Sequence, residues 1–265
     1  MQTPEDLSQP LVLEALQARL RGRRNPLFLD YDGTLTPIVD NPEEARLDPA
    51  MRAALEQLAA DRPVALVSGR DLQTLQAFVG LESVYYAGSH GFEIVGPGGI
   101  HHRHEAAEAG LGSLETAARA LDEALAYIPG TTLERKRFAL AVHYRNVAPG
   151  AQADVATRVN EVVAQHPDLR RGIGKKVFEL QPDVEWDKGR AVLWLLETLG
   201  LDGDDALPLY LGDDWTDEDA FRALQGRGAG IFVGELDRPT AAEYRLGGVH
   251  EVRAFFELLL QGANR

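Results

Sequence analysis

Asp30-Tyr31-Asp32-Gly33-Thr34-Leu35 near the start of this 265-residue chain, taken with Gly212-Asp213-Asp214-Trp215-Thr216-Asp217-Glu218-Asp219 near its end, decides the fold. Each string follows a short apolar run, Leu27-Phe28-Leu29 in the first case and Leu207-Pro208-Leu209-Tyr210-Leu211 in the second. Such runs, bounded by loop formers, read as buried strands, so both strings present carboxylates where a strand gives way to a loop. In an open parallel sheet that edge is where ligands bind. Four or more carboxylates gathered there repel one another unless a hard divalent cation sits among them, and Mg²⁺ suits a few carboxylates plus a phosphate. The two strings imply metal-dependent phosphate chemistry.

Outward from the first string, strand and helix patterns alternate: a helix carrying Leu13, Leu16 and Leu20, then a strand over 27–30, a helix over 49–60, a strand over 64–67, a helix over 71–79 and a strand over 84–87. The rhythm resumes after Asp187, with helices over 188–199, 217–224 and 252–260 and strands over 207–211 and 229–233. Right-handed βα crossovers of this kind build a parallel sheet covered on both faces. The fold class expected is α/β, a Rossmann-like, doubly wound parallel sheet core that uses both ends of the chain.

Between the two halves the pattern changes to helices over 114–127 and 155–165 and strands over 131–133, 138–145 and 177–180. This reads as an inserted α+β cap domain. Gly96-Pro97-Gly98-Gly99 and Gln181-Pro182-Asp183 bracket it. The expected division is a core of 1–107 and 184–265 and a cap of 108–183. From 131 to 178 there are 9 Lys or Arg against 4 Asp or Glu, in a chain whose formal net charge is -14. A basic lid over an acidic floor would draw a small anionic substrate inward, while the acidic exterior repels large polyanions.

Composition narrows the function further. The negative surface argues against nucleic acid and anionic membranes as partners. With no cysteine there is no thiolate metal site and no cysteine nucleophile. Met1-Gln2-Thr3-Pro4-Glu5-Asp6 lacks a basic leader, and no apolar run approaches the ~18 residues of a membrane span. A cytoplasmic monomer acting on a small molecule is the expectation.

The residue types fit that chemistry. An Asp at a strand tip, Asp30, can attack phosphorus and divide one hard displacement into two easier ones. Asp32, two positions on, can face the same side and serve as general acid and then base. Gly33 lets the backbone turn and bring its N–H close to a phosphate, with the Thr34 hydroxyl available to hold the turn. A calcium loop is excluded because the string follows a strand and lacks the closing Glu.

The string Asp30-Tyr31-Asp32-Gly33-Thr34 resembles motif I of the haloacid dehalogenase superfamily, largely Mg²⁺-dependent phosphatases. Val67-Ser68-Gly69-Arg70 resembles motif II, Lys188 at a helix start resembles motif III, and Gly212-Asp213-Asp214 with Asp217 resembles motif IV. The resemblance implies catalytic roles for Asp30, Asp32, Ser68 and Lys188. It also implies Mg²⁺ held by the Asp30 carboxylate, the Asp32 carbonyl and Asp213, with Asp214 and Asp217 contributing directly or through water. The whole chain is similar to the trehalose-6-phosphate phosphatases, most specifically over Gly212-Asp213-Asp214-Trp215-Thr216-Asp217-Glu218-Asp219-Ala220-Phe221. Ala87-Gly88-Ser89-His90-Gly91-Phe92-Glu93 resembles that family's segment beyond the third strand. Leu133-Glu134-Arg135-Lys136, Val142-His143-Tyr144-Arg145 and Gly174-Lys175-Lys176-Val177-Phe178-Glu179 resemble its cap motifs. By that resemblance Gly33, Thr34, Arg70, His90, Gly91, Glu134, Lys136, Arg145, Lys175 and Glu179 contact the substrate. The expected reaction is hydrolysis of trehalose 6-phosphate through an aspartyl phosphate on Asp30. The alternatives are another sugar phosphate, such as sucrose phosphate or a glycosyl phosphate, or a sugar phosphomutase.

Other readings fail on particular residues. Ala87-Gly88-Ser89-His90-Gly91 lacks the first Gly of a serine-hydrolase elbow. Leu169 stands where a nucleotide loop ending at Gly174-Lys175 needs its first Gly. His143 reads as a strand residue, and the contiguous His101 and His102 alternate faces and cannot converge on one metal.

Overall fold

The computed structural model describes residues 3–39, 41–174 and 176–263. The chain begins with β1 (Glu5–Asp6), α1 (Pro10–Leu20), β2 (Leu27–Leu29), α2 (Pro49–Asp61), β3 (Val64–Val67), α3 (Leu72–Val79), β4 (Tyr85–Gly88), β5 (Glu93–Gly96) and β6 (Ile100–Arg103). It continues with α4 (Glu105–Ala109), α5 (Leu111–Leu125), β7 (Thr132–Arg135), β8 (Leu140–His143), α6 (Gln152–Ala164), β9 (Leu169–Gly174) and β10 (Val177–Pro182). It ends with α7 (Lys188–Thr198), β11 (Leu209–Gly212), α8 (Asp217–Leu224), β12 (Ala229–Val233), β13 (Tyr244–Leu246) and α9 (Val249–Ala263). Two compact units result, one of Met1–His102 with Trp186–Arg265 and one of Arg103–Glu185.

The first unit is built on a sheet of order β1-β13-β12-β11-β2-β3-β4-β5-β6, parallel from β1 to β4 and antiparallel between β4 and β5. The central strands are apolar throughout because both faces are covered. Leu27, Leu29, Val64, Leu66, Leu209 and Leu211 point to one face and pack with α1, α2, α3 and α9, whereas Phe28, Ala65, Val67 and Tyr210 point to the other and pack with α7 and α8. This alternation, period two on strands that look uniformly apolar, makes the sheet doubly wound. After the short edge strand β1, the chain runs from β2 outward to β3 and β4, and returns on the other side of β2 as β11. Leu209 then pairs with Leu27 and Leu211 with Leu29, so the tips of β2 and β11 lie side by side.

Helix boundaries follow local chemistry. Asp48 caps α2 through the Ala50 N–H at 2.9 Å with Pro49 at the first position, and Gly80, at φ 62°, ends α3. Strand β11 starts at Leu209 rather than at 207, where the apolar run begins, since Pro208 has no N–H for the ladder.

The second unit is a four-stranded antiparallel sheet of order β7-β8-β10-β9 with α5 and α6 on one face. Leu140, Val142, Phe178 and Leu180 enter its core; Ala141, His143 and Glu179 alternate onto the other face. Strands β1, β5, β9 and β13 have no counterpart in the sequence reading. Leu169-Arg170-Arg171-Gly172-Ile173-Gly174 has too little apolar alternation to announce a strand and is recruited by its pairing with β10. Among the described residues no helix is long and apolar enough to cross a membrane.

Phe256 is fully buried among the helices on the α9 face. Phe256→Ala is expected to cost about 3–5 kcal/mol of stability, read as a lowered urea midpoint with an unchanged slope. A loss below about 1 kcal/mol would show that this face is not close-packed.

Candidate active site

Asp30 directly follows β2, and its N–H donates to the Leu211 carbonyl at 2.9 Å, which continues the β2–β11 ladder to the carboxyl edge of the sheet. Beyond it the chain folds back on itself: the Gly33 N–H donates to the Thr36 carbonyl at 2.8 Å, and the Leu35 and Thr36 N–H groups both donate to the Tyr31 carbonyl. The hydroxyl that holds this turn is that of Thr36, which donates to the Tyr31 carbonyl at 3.3 Å, not that of Thr34. Thr34 is fully buried, and its Oγ1 has no hydrogen-bond partner. Gly33, at φ 85°, is required twice over: a Cβ there would lie 2.1 Å from Asp213 Oδ2.

Asp187 caps α7 by accepting from the Arg190 N–H at 2.8 Å, which sets Lys188 at the first helical position. A cation opposes the helix dipole there, so other charges must hold it. Lys188 Nζ donates at 2.7 Å to Asp30 Oδ1 and at 2.7 Å to Asp217 Oδ1, all three groups being buried. Despite its burial, the two carboxylates keep the Lys188 ammonium well above its ordinary pKa. Burial pushes the Asp30 carboxyl up, opposed by the ammonium.

Asp217 organises the loop before it. Its Oδ1 also accepts from the Tyr210 hydroxyl at 2.6 Å, and its Oδ2 accepts the N–H groups of Asp213 at 3.0 Å and Asp214 at 2.9 Å. Those four hydrogen bonds fill the lone-pair sites of one carboxylate. Gly212 makes room for it, since a Cβ there would lie 2.3 Å from Asp217 Cγ. One carboxylate oxygen from each of Asp30, Asp213 and Asp217 lies within 4.8 Å of the other two. Asp213 Oδ1 is buried without a partner. An orphaned anionic oxygen beside two more acids and a single ammonium fits a hard divalent cation, with Asp30 and Asp213 as the carboxylates that have capacity left. Asp214 is exposed and stands outside the trio.

The Asp32 carboxylate also stands apart from the trio, gripped by Arg70: Nε donates at 2.7 Å to one oxygen and Nη2 at 2.6 Å to the other. Arg70 is itself fixed by the Pro42 carbonyl at 2.9 Å and lies over the rings of Tyr31 and Phe78. Arg70 therefore aims Asp32. Ser68 is buried at the tip of β3, its Oγ accepting from the Arg70 N–H at 3.1 Å. The turn Ser89-His90-Gly91, all at positive φ, lays the His90 ring against Gly69 and donates the His90 N–H to the Ser68 carbonyl at 2.8 Å. Gly91 is forced, because a Cβ would lie 2.3 Å from that of Ala191 on α7.

In the second unit, Glu134 on β7 and Glu179 on β10 both register with Ala141 on the strand between them. The two carboxylates thus share a row, on the side of the sheet away from its core. Glu134 Oε2 lies 2.9 Å from His143 Nε2, and Lys136 Nζ donates to Glu179 Oε1 at 3.3 Å. The His143 contact, helped by Lys136, holds the Glu134 carboxyl below its ordinary range. Arg145 is exposed just beyond β8, and Lys175 lies outside the described residues.

The sequence reading missed Tyr210 and Arg238. Tyr210 is hidden within an apolar strand, where it reads as core. Arg238 sits in a loop with no periodicity, and its guanidinium donates to the Asp213 carbonyl at 3.0 Å.

An acidic strand tip at the switch point of a doubly wound sheet, with a separate α+β unit inserted, is the architecture of haloacid dehalogenase-like hydrolases. A haloacid dehalogenase-like hydrolase from Bacteroides thetaiotaomicron shares the fold at TM-score 0.67 and 16% identity, over 89% of this chain and 100% of the other. The trehalose-phosphatase family model matches residues 28–249, and the chain belongs to that family. A trehalose-phosphate phosphatase of Mycobacterium avium strain 104 is 45% identical over 253 residues, 93% of this chain and 64% of the relative, so the chain spans about two thirds of that protein. The C-terminal domain of a C. albicans trehalose-6-phosphate phosphatase superposes at TM-score 0.81 and 26% identity, covering 98% and 99% of the two chains.

Burial foremost, then the charges of Asp217 and Asp214, raise the Asp213 carboxyl from 3.8 to about 7 in the cation-free protein. A folded pKa above the unfolded one means that this group's contribution favours folding below about pH 4 and is lost as pH rises through about 7. The increase in Tm on adding Mg²⁺ is therefore expected to be larger at about pH 8 than at about pH 5, and Asp213→Asn is expected to flatten the difference. Equal gains at both pH values would remove Asp213 from the cation site.

Proposed function

We propose that this chain is a Mg²⁺-dependent phosphatase that hydrolyses trehalose 6-phosphate to trehalose and inorganic phosphate. The observation that carries the reading is the buried Lys188 ammonium shared between Asp30 and Asp217, with the unpartnered Asp213 oxygen in the same cluster. Such an arrangement sets an ammonium against the Asp30 carboxyl and leaves charge demand for a cation and a phosphate together. The names of the relatives supply the sugar.

In this reading an Asp30 oxygen attacks phosphorus and the bond from phosphorus to the sugar oxygen breaks, leaving an aspartyl phosphate. Asp32, whose oxygens the Arg70 fork must first release, gives its proton to the departing sugar oxygen. It then takes a proton from water as that water attacks phosphorus, which frees phosphate and restores the Asp30 carboxylate. Ser68 and the buried Thr34 hydroxyl bind phosphoryl oxygens, and Lys188 neutralises charge as it builds; the Gly33 N–H, expected from the sequence to approach the phosphate, is spent on the Thr36 carbonyl. Mg²⁺, when bound, would be held by the Asp30 and Asp213 carboxylates and the Asp32 carbonyl and would polarise the phosphoryl group. Asp217 orders the loop that carries Asp213, and Asp214 acts through water.

The sugar is read by the second unit. Glu134 and Glu179 accept from paired hydroxyls, while Lys136, Arg145 and Lys175 donate. A row of charged groups with fixed spacing suits a polyol and discriminates by leaving mismatched partners unpaired. His90 and Gly91 shape the phosphate end through Gly69.

Phosphate release from a panel of sugar phosphates, with and without Mg²⁺, tests the whole reading. Trehalose 6-phosphate is expected to be the preferred substrate, and Asp30→Asn is expected to lower kcat at least about 10³-fold with little change in Tm. Preference for sucrose phosphate would move the sugar assignment, and transfer to a second hydroxyl without free phosphate would make the enzyme a mutase. Glu179→Ala is expected to raise KM for trehalose 6-phosphate about tenfold while leaving KM for an aryl phosphate near its original value. Equal effects on both substrates would remove the sugar contact from Glu179.

A further inference from the structure

We infer that Arg238, on the loop between β12 and β13, is a positioning residue of the cation site: its guanidinium pins the peptide that follows Asp213 and so aims the Asp213 carboxylate. The inference rests on the reading of Asp213 as a cation ligand. The planar peptide between Asp213 and Asp214 is tied at both ends. Its N–H, that of Asp214, donates to Asp217 Oδ2 at 2.9 Å, and its oxygen, that of Asp213, accepts from Arg238 Nη2 at 3.0 Å. With the Asp213 N–H also on Asp217 Oδ2, the residue has little backbone freedom left. Its carboxylate must enter a space that closes to 2.1 Å from the place a Gly33 Cβ would take, so a small peptide rotation would swing it into the turn of residues 31–36.

Arg238 is built for this task. Its guanidinium carbon lies 4.5 Å from the ring centroid of Trp215 and 5.3 Å from that of Phe232. Phe232 is buried on β12, while Trp215 is 63% exposed. A large aromatic left in water on the loop that carries Asp213 has its purpose in the cation it supports. The buried Arg238 Nε has no hydrogen-bond partner, so two rings and one carbonyl fix the side chain. A flat guanidinium can lie against both rings while it donates to the carbonyl, a combination an ammonium cannot reproduce.

The sign of the effect separates positioning from charge. A guanidinium near a metal site repels the metal, so if charge were its whole influence, removing it would tighten Mg²⁺ binding. Positioning predicts the reverse. Thermal-shift titration of the full chain with MgCl₂ is expected to give Arg238→Met a midpoint about tenfold higher than the unaltered protein, the scale of loss seen when a partner behind a metal ligand is removed. Arg238→Lys is expected to fall between them, since its ammonium can still donate to the Asp213 carbonyl. Trp215→Leu, at an exposed position that keeps the fold intact, is expected to raise the midpoint in the same direction by about threefold. Unchanged or lower midpoints in both Arg238→Met and Trp215→Leu overturn the inference. If the unaltered protein responds to Mg²⁺ and Asp213→Asn does not, such a result leaves the cation site standing and removes Arg238 from it. An unaltered protein with no response overturns both.

Discussion

One buried ammonium holds this site together. Lys188 lies between Asp30 and Asp217, and without it two carboxylates would be desolvated side by side. Unpaired charges in such a place cost several kcal/mol each and would be relieved by protonation or by opening the structure. With the ammonium in place the three carboxylates, when ionised, still carry two negative charges in excess. The residual demand appears at Asp213, whose carboxyl is pushed up and whose Oδ1 lacks a partner. Folding thus prepares the site for a cation and a phosphate without satisfying either.

The same economy explains why so many acids stand in one string. Asp213, Asp214 and Asp217 look interchangeable as ligands, yet Asp217 is consumed by Lys188, Tyr210 and two backbone N–H groups. It acts as the frame on which the loop is bent. Asp32 is likewise engaged, by the Arg70 fork, and the rings of Tyr31 and Phe78 hold that fork flat. Of the acids on the two motifs, those with unfilled capacity at the centre are Asp30 and Asp213.

Membership of the trehalose-phosphatase family and the row of Glu134, Ala141 and Glu179 belong to one physical idea. Neutral hydroxyls carry no charge to focus a ligand, so in the proposed reading a sugar is recognised by fixed donors and acceptors whose spacing comes from a sheet. The spacing between neighbouring strands sets the separation of the two carboxylates, which stand on either side of the buried Ala141.

The sequence by itself determined the doubly wound core, the inserted α+β unit and the strand tips that carry Asp30 and Asp213. Hydrophobic periodicity and Gly-containing loops are local signals, and these features are written in local signals. Strands β9 and β13 were not legible, because their residues become strand by pairing with neighbours already in place. Only the tertiary structure decided which acid is free and which is spent. Lys188 is 158 residues from Asp30, Arg70 is 38 from Asp32 and Arg238 is 25 from Asp213. A carboxylate's role depends on who donates to it, and those donors arrive through chain crossovers that no local pattern records.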